Sequence, residues 1–138
     1  MKRLLLMMPL LMSCVATGSS QLEDIAELRW EKRVFVIHSG EPKDVIALLK
    51  QNSYEIDDRH ITWFVISDGQ LQSNHVGEIS SSFTRTALND YFDSDYGVVL
   101  IGKDGGIKHR QNELELNTLF NKIDAMPMRR SEMRSREI

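Results

Sequence analysis

The fold is decided by the stretch "RVFVIHSGEPKDVIALLKQN" at residues 33–52. It opens with a run of β-branched and aromatic residues, which is typical of a buried strand. Pro42 and Asp44 then suit the first turn of a helix, because proline already has the helical φ and an acidic side chain favours the positive end of the helix dipole. We predict a strand over 33–39 followed by a helix. The residues expected to face the core from that helix are Val45, Leu48 and Leu49.

The next apolar run, "HITWFVIS" at residues 60–67, predicts a second buried strand. A helix between two such strands is what a parallel crossover requires, so the three elements form a βαβ unit. Residues 68–80 are polar and contain Gly69 and Gly77, which indicates a surface loop. Serines then precede apolar residues at helical spacing, which predicts a helix over 80–92. Those apolar residues are Phe83, Ala87, Leu88 and Tyr91.

Two extended runs at residues 96–102 and 107–110 flank the sequence "KDGG". Extended runs separated by Asp-Gly are the strongest short-range signal for a β-hairpin, so the last two strands are predicted to be antiparallel neighbours. Residues 112–126 follow as an amphipathic helix, which Pro127 is expected to end. The apolar face of this helix consists of Leu116, Leu119, Phe120 and Ile123.

The predicted order of elements is a βαβ unit, a helix, an antiparallel hairpin and a C-terminal helix. This is the order of the thioredoxin-like fold, an α/β fold in which helices flank a central sheet. The chain has 138 residues, which suits a single domain. We place that domain at residues 21–128 and interpret residues 129–138 as a basic C-terminal tail.

The first residues, "MKRLLLMMPLLMSC", have the pattern of an export signal, with basic residues before a short apolar core. Cys14 follows Leu-Met-Ser and resembles the lipidated cysteine of bacterial lipoproteins. The alternative is ordinary cleavage after Ala16 or Gly18, which would discard Cys14. Residues 1–20 are therefore assigned to a signal and tether, and the mature protein is expected in the periplasm or on a lipid anchor. Membrane contact is expected only through the signal or the lipid.

Composition limits the possible functions. Cys14 is the only cysteine, so the predicted domain holds no thiol for disulfide exchange or peroxidase chemistry. Loss of Lys2 and Arg3 with the signal leaves 15 of the 17 basic residues against 20 acidic ones, a net charge of −5. A nucleic-acid partner is not expected, because phosphate contacts need a basic surface.

Three motifs carry a family resemblance: "LRWEKRVFVI" at 28–37, "GVVLIGKDGGIKHR" at 97–110 and "FNKIDAMPMRRSEM" at 120–133. With them the chain resembles the domain of unknown function 4174 family, which is similar in fold to thioredoxins and peroxiredoxins. The resemblance implies that fold and no established activity. Redox members of the fold place a cysteine just after the first core strand, whereas this chain has "HSGEP" at residues 38–42.

The expected topology places a polar surface at the end of the sheet where the first two strands begin, which we call the far pole. The glycine turn and the end of the last helix should both arrive there. We expect this surface to bind an anionic small molecule or a carboxylate-bearing protein, since arginine can hold an oxyanion with two hydrogen bonds. The candidate binding residues are Lys103, Asp104, Arg129, Arg130, Trp30 and Arg59.

Several residues of this surface also have a structural alternative. Asp104 belongs to the tight turn of the hairpin, and Asp124 can pair with a neighbouring arginine. The chain from Arg129 onward can be a solvated tail. Trp30 can be a lid packed on the core.

Other chemistries remain as alternatives. His38, with Glu41, Asp93 and Asp95 nearby, could form the site of a non-thiol enzyme. Met126 and Met128 could bind Cu(I), although methionine commonly fills gaps at the end of a helix. The four histidines lack zinc-ligand spacing, and no cofactor is expected. The function predicted from sequence is an exported, non-redox thioredoxin-like binding protein of the cell envelope.

Overall fold

The computed structural model describes residues 20–93 and 95–136. Within these ranges, the structure has no helix that is both long and apolar enough to cross a membrane. Cys14 lies outside the described residues, as does most of the predicted signal and tether. In chain order, the elements are a 3-10 helix at Ile25–Leu28, β1 (Arg33–His38), α1 (Pro42–Gln51), α2 (Ser53–Asp58), β2 (Ile61–Ser67), β3 (Gln70–Ser73), α3 (Phe83–Tyr91), β4 (Gly97–Ile101), β5 (Ile107–Gln111), α4 (Leu116–Asp124) and α5 (Pro127–Arg134).

The strands form one five-stranded sheet in the order β3-β2-β1-β4-β5. β1 and β2 are parallel, with Arg33 opposite Ile61, which confirms the predicted βαβ unit. β4 runs antiparallel to β1, and β5 runs antiparallel to β4, which confirms the predicted hairpin. The arrangement of β2, β1, β4 and β5 is that of the thioredoxin-like fold, and β3 extends the sheet beyond β2.

Helices cover both faces of the sheet. On one face, α1, α2 and α4 bury an apolar cluster that includes Leu49, Ile56 and Leu119. On the other, the 3-10 helix and α3 enclose a second cluster, in which the Phe64 and Phe83 rings lie 4.6 Å apart. The expected inward face of α1 is partly wrong: Leu48 is 37% exposed, and Ile46 is buried with Leu49 instead. This helix therefore turns a different face to the sheet.

β3 lies inside the segment predicted as a surface loop, so that prediction is wrong for residues 70–73. Asp68 and Gly69 both have positive φ, 48° and 74°, as a two-residue hairpin turn requires. The Asn74 side chain then secures the return strand, accepting from the Trp63 N–H at 2.8 Å and donating to the Ile61 carbonyl at 3.1 Å. A short helix, α2, also precedes β2 where the sequence suggested none.

The prediction of a basic tail from Arg129 onward is also wrong, because Pro127–Arg134 forms α5. Pro127 does follow the end of α4, yet it also starts the next helix, a position that needs no backbone N–H. Arg129 is only 2% exposed. The folded unit therefore continues past the predicted boundary at residue 128.

The chain before β1 is held by the Leu22–Ile79 bridge and by a capping box formed by Asp24 and Glu27. Leu22, Ile25 and Leu28 are buried, as a packed helix here requires. Trp30, by contrast, is 59% exposed, so its alternative role as a lid on the core is wrong. Its φ of 71° turns the chain sharply between the 3-10 helix and β1.

Candidate functional site

Glu132 is the centre of one ion-pair cluster at the far pole. Arg33, at the start of β1, donates to both of its carboxylate oxygens at 3.1 and 3.2 Å. Lys103, from the hairpin turn, donates at 2.6 Å and also lies 2.8 Å from His60 Nδ1. Arg33 and Lys103 are 1% and 8% exposed. One carboxylate on α5 thus serves two buried cations.

Asp58 and Asp124 form the second cluster. Arg129 donates to Asp58 at 2.7 Å and to Asp124 at 3.1 Å, joining the end of α2 to the end of α4. Arg59 donates to both Asp124 oxygens at 3.1 and 2.9 Å. Arg136 pairs with Asp58 from the end of α5. These contacts fix α5 to the domain through charge rather than through apolar burial, because Arg129 is its buried residue.

The far pole therefore brings Lys103, Arg59 and Arg129 together, as the topology suggested. Each of the three side chains is paired with a carboxylate of the chain itself, so none of their charged groups is free to bind an oxyanion. Asp104 accepts from the Gly106 N–H and from Lys108, which is the turn-forming alternative. Arg130 is exposed, and no described residue pairs with its side chain.

Sequence reasoning missed Glu132, the carboxylate at the centre of the first cluster. It placed Arg33 at the far pole with the start of the first strand but gave it no partner, although an arginine that opens a buried strand needs one. Glu132 lay in the segment that we predicted to be a tail. The signal that could have found it is the amphipathic arrangement after Pro127, which places Arg129 and Glu132 one helical turn apart.

The pKa values of the carboxylates and of His60 at this pole are all lowered, whereas hydrogen bonds to Asp124 and Glu55 raise the pKa of Arg59 against the opposing effect of burial. Burial disfavours the charged form of Glu132, but hydrogen bonds from Arg33 and Lys103 outweigh that effect and lower its pKa below 4.5. Asp58 and Asp124 are lowered below 3.8 against the same opposing burial, by their arginine partners. The pKa of His60 lies below 6.5 because of burial and the neighbouring Lys103 charge.

These shifts predict an acid-sensitive fold. Each lowered group binds protons more readily in the unfolded chain, so stability is complete above the unfolded pKa and is lost as pH falls. We expect a shallow loss of stability as the pH falls through 6.5, the pKa of His60 in the unfolded chain. A steeper loss of stability should follow as the pH falls through 4.5 and 3.8, the unfolded pKa values of Glu132 and of the two aspartates. Urea unfolding between neutral and acid pH measures this. Constant stability across the range would contradict it.

The opposite end of the sheet, the near pole, holds an open cleft of about 640 Å³ where β1 ends and α1 begins. We call it the acidic cleft. Glu41, Asp44 and Glu113 line it, and none of the described residues that line it is a lysine or arginine. Its apolar wall consists of Val45, Leu48, Leu114 and the aromatic ring of Tyr96.

His38 lies at the floor of the acidic cleft and is half-buried. Its Nδ1 is 2.8 Å from the Asp95 carbonyl oxygen, and its ring is packed 4.9 Å from Tyr96 and 5.6 Å from Phe92. If Nδ1 carries the proton, Nε2 is left as the acceptor. Tyr96 is 62% exposed and passes over Gly40, where a side chain would meet its ring at 3.4 Å.

The methionine and histidine predictions can be placed too. Met126 is partly buried and packs against the larger core cluster, which matches the gap-filling alternative. Met128 is 43% exposed on α5. Among residues 20–93 and 95–136, the structure has no group of three or more His, Cys, Asp or Glu side chains arranged to hold a metal ion.

The fold and its two poles define a thioredoxin-like domain with no cysteine in its described part. The family model for a domain of unknown function, DUF4174, matches residues 24–132, and the chain belongs to that family. No curated protein matches the chain. Among solved structures, it is similar to the mitochondrial 2-Cys peroxiredoxin from Plasmodium falciparum, with 12% identity, a TM-score of 0.46 and coverage of 73% of this chain and 79% of that one.

Proposed function

We propose that the chain is an exported, non-redox binding protein of the cell envelope, and that its ligand site is the acidic cleft. The observation that carries the proposal is the charge of the cleft: Glu41, Asp44 and Glu113 line it, and no lysine or arginine is among the described residues that line it. At the far pole, by contrast, three of the predicted binding cations are paired internally, namely Lys103, Arg59 and Arg129. We therefore propose the near pole as the site of binding, in place of the far-pole site predicted from sequence.

The chemistry of the cleft selects a positively charged ligand with an apolar part. Carboxylates on the rim attract an ammonium or guanidinium group. The exposed ring of Tyr96 offers a face for a cation–π contact, and Leu48 and Leu114 offer apolar surface beside it. A lysine or arginine side chain of a partner has both parts, because its charged group ends an aliphatic stem.

The proposal predicts that N-acetyl-lysine amide binds the cleft and that N-acetyl-norleucine amide, which has no ammonium group, binds much more weakly. Backbone amide shifts of Glu41, Tyr96 and Glu113 in an NMR titration report occupancy. The Glu41→Gln/Asp44→Asn variant is expected to weaken binding about tenfold, since a hydrogen bond to a charged group contributes about 1.5–3 kcal/mol.

The matched control is Glu31→Gln/Asp57→Asn, which removes two negative charges at exposed residues outside the cleft. It should leave the titration unchanged. Equal binding of the two amides would contradict the proposal. So would equal weakening by the two double variants, because a long-range charge effect would then replace a specific site.

Export is a separate part of the proposal, supported by the basic-apolar-small pattern of residues 1–18. We expect the mature protein in the envelope fraction of its cell. If Cys14 is lipidated, it incorporates labelled fatty acid, and Cys14→Ser releases the protein from membranes. A mature N-terminus after Ala16 or Gly18 would support export without an anchor. Unprocessed protein confined to the cytoplasm would contradict it.

A further inference from the structure

We propose that a second cavity, at the far pole, binds a small amphipathic anion, in which one oxyanion is attached to an aromatic or apolar body. This glycine-turn groove has a volume of about 370 Å³ and lies between the 3-10 helix and the turn at residues 102–106. It shares no lining residue with the acidic cleft. Its apolar lining consists of Ile25, Ala26, Leu28, Val34 and Ile101.

Two cations at this groove differ from the far-pole cations that a carboxylate holds. Arg29 and Lys32 line it, and within the described part of the chain neither side chain makes a hydrogen bond or ion pair with another side chain. Arg33, the residue after Lys32, and Lys103 both have Glu132 as a partner. An incoming oxyanion would therefore meet Arg29 and Lys32 without displacing a carboxylate of the protein.

The acidic residue that lines this groove has other hydrogen-bond partners. Asp104 lines the groove, but its carboxylate accepts from the Gly106 N–H at 3.0 Å and from Lys108 at 2.7 Å. Tyr91 also lines the groove. Burial, with the nearby Asp24 and Asp90 charges, raises the pKa of Tyr91, so its hydroxyl remains a neutral hydrogen-bond donor.

Three glycines form the turn side of this groove, Gly102, Gly105 and Gly106. Gly105 has a φ of 85°, which favours glycine, and a Cβ there would lie at an ordinary contact distance of 3.6 Å from Arg29 Cδ and Nε. Arg29 thus rests against the turn. A Cβ on Gly102 would lie 2.6 Å from Lys108 Cε, so a side chain there would require the lysine to move. The "GKDGG" motif keeps Arg29 and the turn in contact.

Trp30 supplies an aromatic surface next to the two cations in the chain. Its left-handed backbone is held by an N–H to Lys103 carbonyl hydrogen bond of 2.6 Å, and its side chain stays 59% exposed. The Arg29 guanidinium carbon lies 5.0 Å from the centre of the Trp30 ring. Arg29 lines the groove, whereas Trp30 lies outside the lining and is in contact with Arg29. Tryptophan and arginine are the residues that most often dominate binding energy, and this exposed pair favours a planar ligand.

The test uses the wild-type protein and three matched probes: benzoate, phenyl phosphate and uncharged benzyl alcohol. We expect saturable NMR shifts of the Trp30 indole N–H and of the Gly105 and Gly106 amides with the two anions. Benzoate and phenyl phosphate separate a carboxylate preference from a phosphate preference, and either supports the site. Benzyl alcohol should bind about tenfold more weakly or not at all, because it lacks the charge-assisted hydrogen bonds.

The variant Arg29→Gln/Lys32→Gln is expected to abolish saturation by the anions. Its control, Lys43→Gln/Lys50→Gln, removes the same charge from exposed positions of α1 and should leave the titration as in wild type. Both pairs are exposed, so neither variant should unfold the domain. The inference is overturned if benzyl alcohol binds as well as benzoate, if the two variants lose binding equally, or if no probe gives saturable shifts.

Discussion

Replacing Arg129 by alanine is expected to lower the free energy of unfolding by about 3–4 kcal/mol. The side chain is 3% exposed and joins Asp58 to Asp124. Its removal leaves Asp124 with Arg59 alone and Asp58 with Arg136 alone, and it also takes a buried aliphatic stem out of the contact between α5 and the domain. For a domain of this size the loss corresponds to roughly 10 °C or more in Tm. Urea and thermal unfolding measure it.

The neighbouring residue provides the control. Arg130→Ala removes the same side chain from an exposed position with no described partner and should change stability by no more than about 0.5 kcal/mol. Arg129→Lys keeps the charge but cannot reach both carboxylates with a planar fork, so it should fall between the two. Equal, small effects of both alanine variants would mean that α5 does not depend on these ion pairs.

Glu132→Gln is expected to cost about 3 kcal/mol at neutral pH. Arg33 and Lys103, both buried, would then share a neutral amide that accepts far less strongly than a carboxylate. The stability of this variant should also fall less steeply than that of the wild type below pH 4.5, because the titrating carboxylate has been removed.

Glu31→Gln is a matched control, since Glu31 is exposed and precedes β1. It should leave both the midpoint of unfolding and its pH dependence as in wild type. If Glu132→Gln unfolds at the wild-type midpoint, Arg33 must be stabilised by something other than this carboxylate, such as its 2.9 Å hydrogen bond to the Arg59 carbonyl.

The fold could be predicted from local patterns because its core elements satisfy simple rules. β1 and β2 are continuous apolar runs, as strands covered on both faces must be. The Asp-Gly pair at 104–105 predicted the hairpin that joins β4 to β5. The same pair at 68–69 was read as part of a loop, because "QLQS" has too little apolar character for a strand buried on both faces. An edge strand that is only partly buried needs fewer apolar residues than that.

The candidate sites were harder to predict because they depend on which charges meet in space. Topology brought Lys103 and Arg129 to one pole, but it could not say that Glu132 would neutralise Lys103 or that Asp58 would hold Arg129. The acidic cleft is built from Glu41 and Glu113, which are far apart in the chain and belong to no motif. Sequence reasoning had placed Glu41 beside His38 but did not foresee the cleft around it.

The strand at one border of the sheet carries a last consequence. β5 pairs only with β4 within the described sheet, so its other side presents unpaired backbone groups. Lys108 and Arg110 lie two residues apart on this strand and therefore share one face of it. A second molecule that aligned its own β5 there would bring cations against cations, and that repulsion disfavours fibrous self-association. The charges on this border strand therefore protect the sheet against strand-to-strand association between two copies of the domain.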